Sequence, residues 1–398
     1  MTHGISIPVS RAAVAARDRV ATGAGRIPWY VWCCVAATVS AMIGGIWDIS
    51  WHKTIGRDTF WTPAHMLIYL CGVMTGAGCG WLILSTTFRS AAPLRAASVS
   101  LWRFRAPLGA FICAWGGIAM LVSAPFDDWW HGAYGLDVKV LSPPHVVLIL
   151  GILAIRFGTL ILVLGAMNRA SGPLRDRLEW LLLFVGAILA GGALSAFLEQ
   201  TTRNMMHSAL FYRIIGAVVP LFLVAAARAS GRKFAATIMA CATSLLLMLN
   251  VWILPLFPAE PKLGPVYYKV THMIPGQDFP LLIVAGTLAI DLVWLRARSW
   301  SDWRLAAAGG LAFLGAFWAA QWPFAVFLNS HASGNWFFGT HYMPYFVPPN
   351  SDYARGAFSV IEKTRAQFWW GMAAAFGAAI LSTRAGLAWG SWMRKLRR

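Results

Sequence analysis

The chain has 398 residues, 58% hydrophobic and only 12% charged, against roughly 25% charged residues in an ordinary soluble domain. That balance excludes a soluble globular enzyme and predicts an all-α, polytopic membrane bundle, since an open sheet edge goes unsatisfied in hydrocarbon. The net charge of +18 does not call for nucleic acid, because the basic residues alternate with the apolar runs in the manner of a topology signal.

Residues 1–27 carry Arg11, Arg17, Arg19 and Arg26 and read as a cytoplasmic N-terminal segment. Ten apolar runs follow, each near the roughly 20 residues needed to span a bilayer: 28–47, 64–86, 107–126, 144–168, 178–199, 208–228, 234–257, 279–296, 303–328 and 366–385. The first reads as a full span rather than a cleavable signal peptide. Every second connection is basic, from Arg89, Arg95, Arg103 and Arg105 to the terminal Arg394, Lys395 and Arg397, whereas the intervening connections hold most of the acids. By the positive-inside rule both termini are expected in the cytoplasm of an inner-membrane protein, with the acidic connections facing the periplasm or exterior. The basic connections are also expected to contact anionic lipid.

The first two spans flank Trp47-Asp48-Ile49-Ser50-Trp51-His52, then Gly56, Asp58, Pro63 and His65. The third and fourth flank Asp127-Asp128-Trp129-Trp130-His131, then Gly135, Asp137, Pro144 and His145. Counted from Asp48 and Asp127, the residues Asp, Trp, His, Gly and Asp recur at offsets 0, 3, 4, 8 and 10, which reads as an internal repeat. An Asp and a His four apart share one helical face, and a Pro-His pair at the start of the next helix can fold back beside them. Each copy therefore predicts a metal site of two histidines and a carboxylate: Asp48, His52 and His65, and Asp127, His131 and His145. Asp58 and Asp137, in the turns, are placed behind these sets as partners that orient an imidazole. Asp128 is an alternative to Asp127, Arg57 can pair with Asp58, and a plain Asp-His network pinning the helix ends is the competing account. Such ligands suit copper, iron or zinc without choosing among them. Cys33, Cys34, Cys71, Cys79, Cys113 and Cys241 fall within spans without zinc-ribbon spacing and are read as small packing residues.

Residues 28–170 thus form a four-helix unit carrying both motifs, and 171–398 a six-helix unit with long aromatic loops at 258–278 and 329–365. In this second unit Glu199, Arg203 and His207 are expected to share a helix face, His272, His331 and His341 offer a further outer metal set, and Asp291 has no evident partner.

The stretch from Trp47 to His65, with Asp, Trp-His, Arg-Asp-Thr and Thr-Pro-x-His in that order, resembles the C subunit of the copper membrane monooxygenases, the family of particulate methane and ammonia monooxygenases. The resemblance covers about residues 28–168. It implies copper on Asp48, His52 and His65, and a neighbouring second site, the catalytic one, at Asp127, His131 and His145, where Asp127 stands in place of the family's Asn. It further implies oxygen-dependent hydroxylation of a small apolar substrate, an electron donor such as quinol, and other membrane subunits as partners. The six later spans have no counterpart in that subunit, which makes the chain a divergent and extended relative. Two other functions compete. A copper-handling protein without oxygenase activity would want a soft-ligand path, yet Met42, Met66, Met74 and Met120 form no regular ladder. A haem or quinone oxidoreductase would want histidine pairs deep within spans.

Overall fold

The computed structural model describes residues 25–89, 92–135, 142–279, 281–297, 299–340, 358 and 361–397. Its helices are α1 (Trp29–Thr54), α2 (Pro63–Phe88), a short α3 (Ala92–Ala96), α4 (Leu108–Tyr134), α5 (Pro143–Arg169), α6 (Gly172–Ser195), α7 (Ala209–Ser230), α8 (Ala235–Ile253), α9 (Ile283–Arg296), α10 (Asp302–Leu328) and α11 (Arg365–Met393). Among the described residues nine helices are long and apolar enough to cross a membrane, so this is a multi-pass membrane protein built of α-helices. The connection after α2 holds a small antiparallel hairpin, β1 (Val99–Leu101) with β2 (Phe104–Ala106), which the hydropathy pattern did not predict.

The segment expected as a span at 279–296 differs from the rest. Helix α9 has 14 residues, about 21 Å at 1.5 Å per residue, short of the roughly 30 Å hydrocarbon core. A nonhelical lead extends it, and the Leu282 N–H donates to the buried Gln321 Oε1 near the far end of α10 at 2.8 Å. Asp291 on this helix is not partnerless. Its Oδ2 accepts the Thr237 N–H at 2.8 Å and the Thr237 hydroxyl at 2.7 Å, filling donors that the first turn of α8 leaves open.

Helices α1, α2, α4 and α5 pack in a ring, α1 on α2, α2 on α4, α4 on α5 and α5 on α1. The remaining helices are led by the α7–α11 pair, whose contact buries Tyr212, Ile215, Val219 and Leu387. The two groups meet where α6 packs on α5 and α1. The first and last described residues lie at one end of the bundle: Arg177 Nη1 donates to Gly25 O at 3.0 Å, and Asn168 Nδ2 donates to Met393 O and Leu396 O at 2.8 and 2.7 Å. Since α1 runs away from that end and α2 begins where it finishes, the Asp/His motifs lie at the opposite end.

Candidate metal centres

The sequence builds each motif by the same local rules. Helix α1 stops at Thr54, just before Gly56 at φ +100°, and α4 stops at Tyr134, capped by Gly135 at φ +82°. Both values lie where a side chain is strained and glycine is at ease. The next helices start with proline in the first turn, Pro63 in α2 and Pro143 with Pro144 in α5, where the missing N–H costs nothing. A sharp stop followed by a proline start returns His65 over α1 and His145 over α4.

At the first centre, His65 Nε2 lies 3.3 Å from Asp48 Oδ1 and 2.7 Å from Asp58 Oδ2. His52 Nε2 lies 3.7 Å from Asp48 Oδ2 and 3.4 Å from Asp58 Oδ2. Asp58 is thus a member of the converging set and not a residue behind it: its carboxylate faces the two Nε2 atoms, while the outer nitrogen of His65, Nδ1, lies 3.0 Å from Thr59 O. Burial opposes the charge on Asp58, but hydrogen bonds and positive potential from His52 and His65 outweigh it and hold its carboxyl well below the usual carboxylate range.

At the second centre, Asp127 Oδ1 lies 3.6 Å from His131 Nε2 and 3.5 Å from His145 Nε2. Gly135 O lies 2.9 Å from His131 Nδ1, so the glycine that ends α4 also fixes its last imidazole. Asp127, not the exposed Asp128, joins the cluster. Asp137 lies outside the described residues. Tyr69 on α2 stacks obliquely on His65, ring centroids 5.9 Å apart.

An imidazole with an oxygen acceptor at each nitrogen is stable only if a cation sits at Nε2. A second proton meets that need where a single acceptor lies at hydrogen-bond distance, as between His65 and Asp58. The other separations, 3.3 to 3.7 Å, match the spacing of about 3.4 Å between ligands on a tetrahedral ion with bonds of about 2.1 Å. Asp48 Oδ1 and Asp127 Oδ1 are moreover buried without a hydrogen-bond donor, which is costly unless a cation completes them. Asp127, His131 and His145 therefore fit a metal ion, and Asp48, Asp58 and His65 converge closely enough to hold one if it replaces the proton between His65 and Asp58; His52 stands outside that closest group. The geometry makes Asp58→Asn a costly change at the first centre and Asp128→Asn a neutral one at the second. Metal titration of each variant should show weakened uptake, by about 10- to 100-fold, in the former alone.

The loop 258–278 covers the turn of the first motif. Lys262 and Tyr267 N–H groups donate to Ile55 O and Lys53 O at 2.9 and 3.0 Å, and the Arg57 N–H donates to Leu263 O at 2.7 Å. The described part of the other long loop, 329–340, packs on α8, where Trp252 Nε1 donates to Phe337 O at 2.8 Å. At the second centre the wall is local to α4: Phe126, Trp129, Trp130 and Tyr134 form a connected aromatic group.

The other sequence candidates do not assemble. Residues 196–208 form short 3-10 turns and not a helix, so Glu199, Arg203 and His207 share no helical face. The Arg203 N–H donates to Asp278 Oδ2 at 2.8 Å. His207 lies between the rings of Trp322 and Phe358, 3.9 and 3.7 Å from their centroids and nearly parallel to both. Burial lowers its pKa against the pull of its Trp322 carbonyl contact. A histidine held below its unfolded value contributes stability that is present above about pH 6.5 and is lost as pH falls through the folded value. Thermal unfolding between pH 7 and pH 5 should therefore show wild type losing stability while His207→Phe stays flatter; parallel curves would refute this role. His272 and His331 join no metal-capable cluster among the described residues, and His341 lies outside them.

Comparisons with protein-family models, with curated proteins and with solved structures give no match. The functional reading accordingly stands on the two centres and on the local resemblance of the motif.

Proposed function

We propose that this protein binds copper at the Asp48/Asp58/His52/His65 and Asp127/His131/His145 centres and acts as a membrane monooxygenase or one subunit of one. The observation that carries the reading is the convergence, at the second motif, of the His131 and His145 Nε2 atoms on Asp127 Oδ1, a buried carboxylate oxygen without a hydrogen-bond donor; at the first motif His65 Nε2 faces the equally unpartnered Asp48 Oδ1. The resemblance of residues 28–168 to copper monooxygenase C subunits supports copper over iron or zinc, and the repeat of the motif supports a shared origin for the two centres. Bound copper would supply dioxygen binding and one-electron redox chemistry.

The chain's own part is to hold and to shield. The carbonyls of Thr59 and Gly135 orient His65 and His131 so that Nε2 faces inward. Asp127 places a carboxylate oxygen between the two imidazole Nε2 atoms, a donor set that favours a cationic occupant. The Phe126, Trp129, Trp130 and Tyr134 rings offer a small apolar substrate an aromatic surface on the helix that carries Asp127 and His131. In this reading the protein sits in the inner membrane with the centres toward the periplasm, and other membrane subunits and a quinol-type donor deliver electrons. Elemental mass spectrometry on protein purified in native-like lipid tests it. Copper lost one centre at a time from His52→Ala and His131→Ala, together with oxygen-dependent oxidation of small alkanes that vanishes in His131→Ala, is the expected result. Protein that takes up no transition metal despite intact folding and supplied copper sinks the proposal.

A second reading, copper handling without oxygenase activity, is favoured by one observation: a cluster of cysteines at the other end of the same helices. Copper flux into vesicles without substrate oxidation would decide for it.

A further inference from the structure

The four-helix ring has a second chemical pole. Cys34 near the start of α1, Cys79 near the end of α2 and Cys113 near the start of α4 converge in its core, their sulfurs all within 4.8 Å of one another. All three residues have no solvent exposure, and Cys34 Sγ lies 3.4 Å from Cys79 Sγ. Packing accounts for burial, as the composition suggested, but not for convergence, since a thiol is a weak donor and a weak acceptor and packs as well against hydrocarbon. The Cys113 thiol also donates to Ile155 O at 3.5 Å and lies 3.8 Å from Thr159 Oγ1, both on α5, weak contacts that orient its sulfur and leave its lone pairs free. Helix α5 presses Cys113 into place through Gly158, where a Cβ would stand 2.6 Å from the sulfur.

We propose that Cys34, Cys79 and Cys113 form a three-sulfur site for Cu(I), at the end of the unit opposite the Asp/His centres. Three sulfurs about 2.3 Å from one ion stand about 4 Å apart, within the range this trio occupies. Thiolates select Cu(I), zinc or iron–sulfur clusters. Zinc completes a tetrahedron with four ligands and iron–sulfur clusters take four cysteines, whereas this cluster holds three ligand groups, a number that satisfies monovalent copper. Each thiol that ligates gives its proton to solvent, and no electron is transferred. Half-buried Cys33 lies against Gly78, the neighbour of Cys79, and offers a thiol at the rim of the helix seam through which copper can be handed inward. The site does not depend on the oxygenase reading, because it uses none of the Asp/His ligands.

The test uses the full chain in lipid nanodiscs, expressed with copper and also loaded anaerobically with Cu(I), in competition with the Cu(I) chelator bathocuproine disulfonate. The double variant His52→Ala/His131→Ala should retain the sulfur-bound ion, with X-ray absorption reporting three sulfurs at about 2.3 Å. Cys113→Ser and Cys79→Ser, monodisperse and helical, should lose the competition by more than about tenfold, while Cys241→Ser, at an exposed position, should behave as wild type. Equal retention by the Cys113→Ser and Cys79→Ser variants, nitrogen or oxygen ligation alone in the double variant, zinc in place of copper, or a Cys34–Cys79 disulfide in reduced preparations would each overturn the proposal. Wild type that holds no copper at the Asp/His centres while the sulfur signal is intact would overturn only the function proposed above.

Discussion

Replacing Asp127 with alanine is expected to abolish metal uptake at the second centre while leaving the first occupied. Asp127 Oδ1 faces the Nε2 atoms of both His131 and His145, so its loss removes the carboxylate oxygen that the two imidazoles share. Partners that only orient a ligand are worth about 10- to 100-fold in metal affinity, and a directly facing carboxylate should exceed that. Asp127→Asn is the sharper variant: it keeps the shape and an oxygen donor, removes the charge, and so should weaken binding less than Asp127→Ala while shifting any bound copper toward its reduced state. Isothermal titration and electron paramagnetic resonance read both effects. Unaltered affinity in Asp127→Ala would mean that the motif is a hydrogen-bond network and not a metal site.

Gly56→Ala should be the most damaging glycine-to-alanine change among the described residues. A Cβ there would stand 2.0 Å from Leu263 O, 2.7 Å from Leu263 C and 2.9 Å from Pro265 N, with φ at +100°, so rigid backbone would have to move on both sides of the contact. The strained φ alone costs about 1–3 kcal/mol, and separating the 258–278 loop from the Arg57 turn adds lost backbone hydrogen bonds, each net about 1 kcal/mol. The loop should then become protease-sensitive, and Asp58 should leave the first centre. Gly135→Ala is the internal control. Its φ of +82° with ψ of −161° is equally unsuited to alanine, but nothing lies within 4 Å of the added carbon. Only backbone strain of about 1–3 kcal/mol and a tilted His131 are expected. Limited proteolysis that fails to distinguish the two variants would refute the role assigned to the loop.

Much of the helical architecture follows from local chemistry. Runs of apolar residues with flanking arginines mark α1, α2, α4 and α5 because backbone groups in hydrocarbon can be satisfied only within the helix. The pairing of Asp48 with His52 and of Asp127 with His131 was legible because four residues make about one helical turn. The proline starts made the return of His65 and His145 legible as well. Where periodicity was read beyond the helices it failed: the four-residue spacing of Glu199, Arg203 and His207 falls on 3-10 turns, and the residues at 279–296 make a short helix with an irregular lead.

By itself, then, the sequence determined an all-α membrane protein and the grouping of Asp127, His131 and His145, since these depend on composition and on one turn of helix, whereas at the first motif Asp58 and not His52 completes the close group with Asp48 and His65. Tertiary structure alone decided three things. It turned Asp58 inward to both imidazoles at the first centre, it laid the loop 258–278 over that turn, and it brought Cys34, Cys79 and Cys113 together. Each depends on how separate segments approach in space, through a glycine's left-handed turn or a close helix crossing, and such distances leave no periodic trace along the chain.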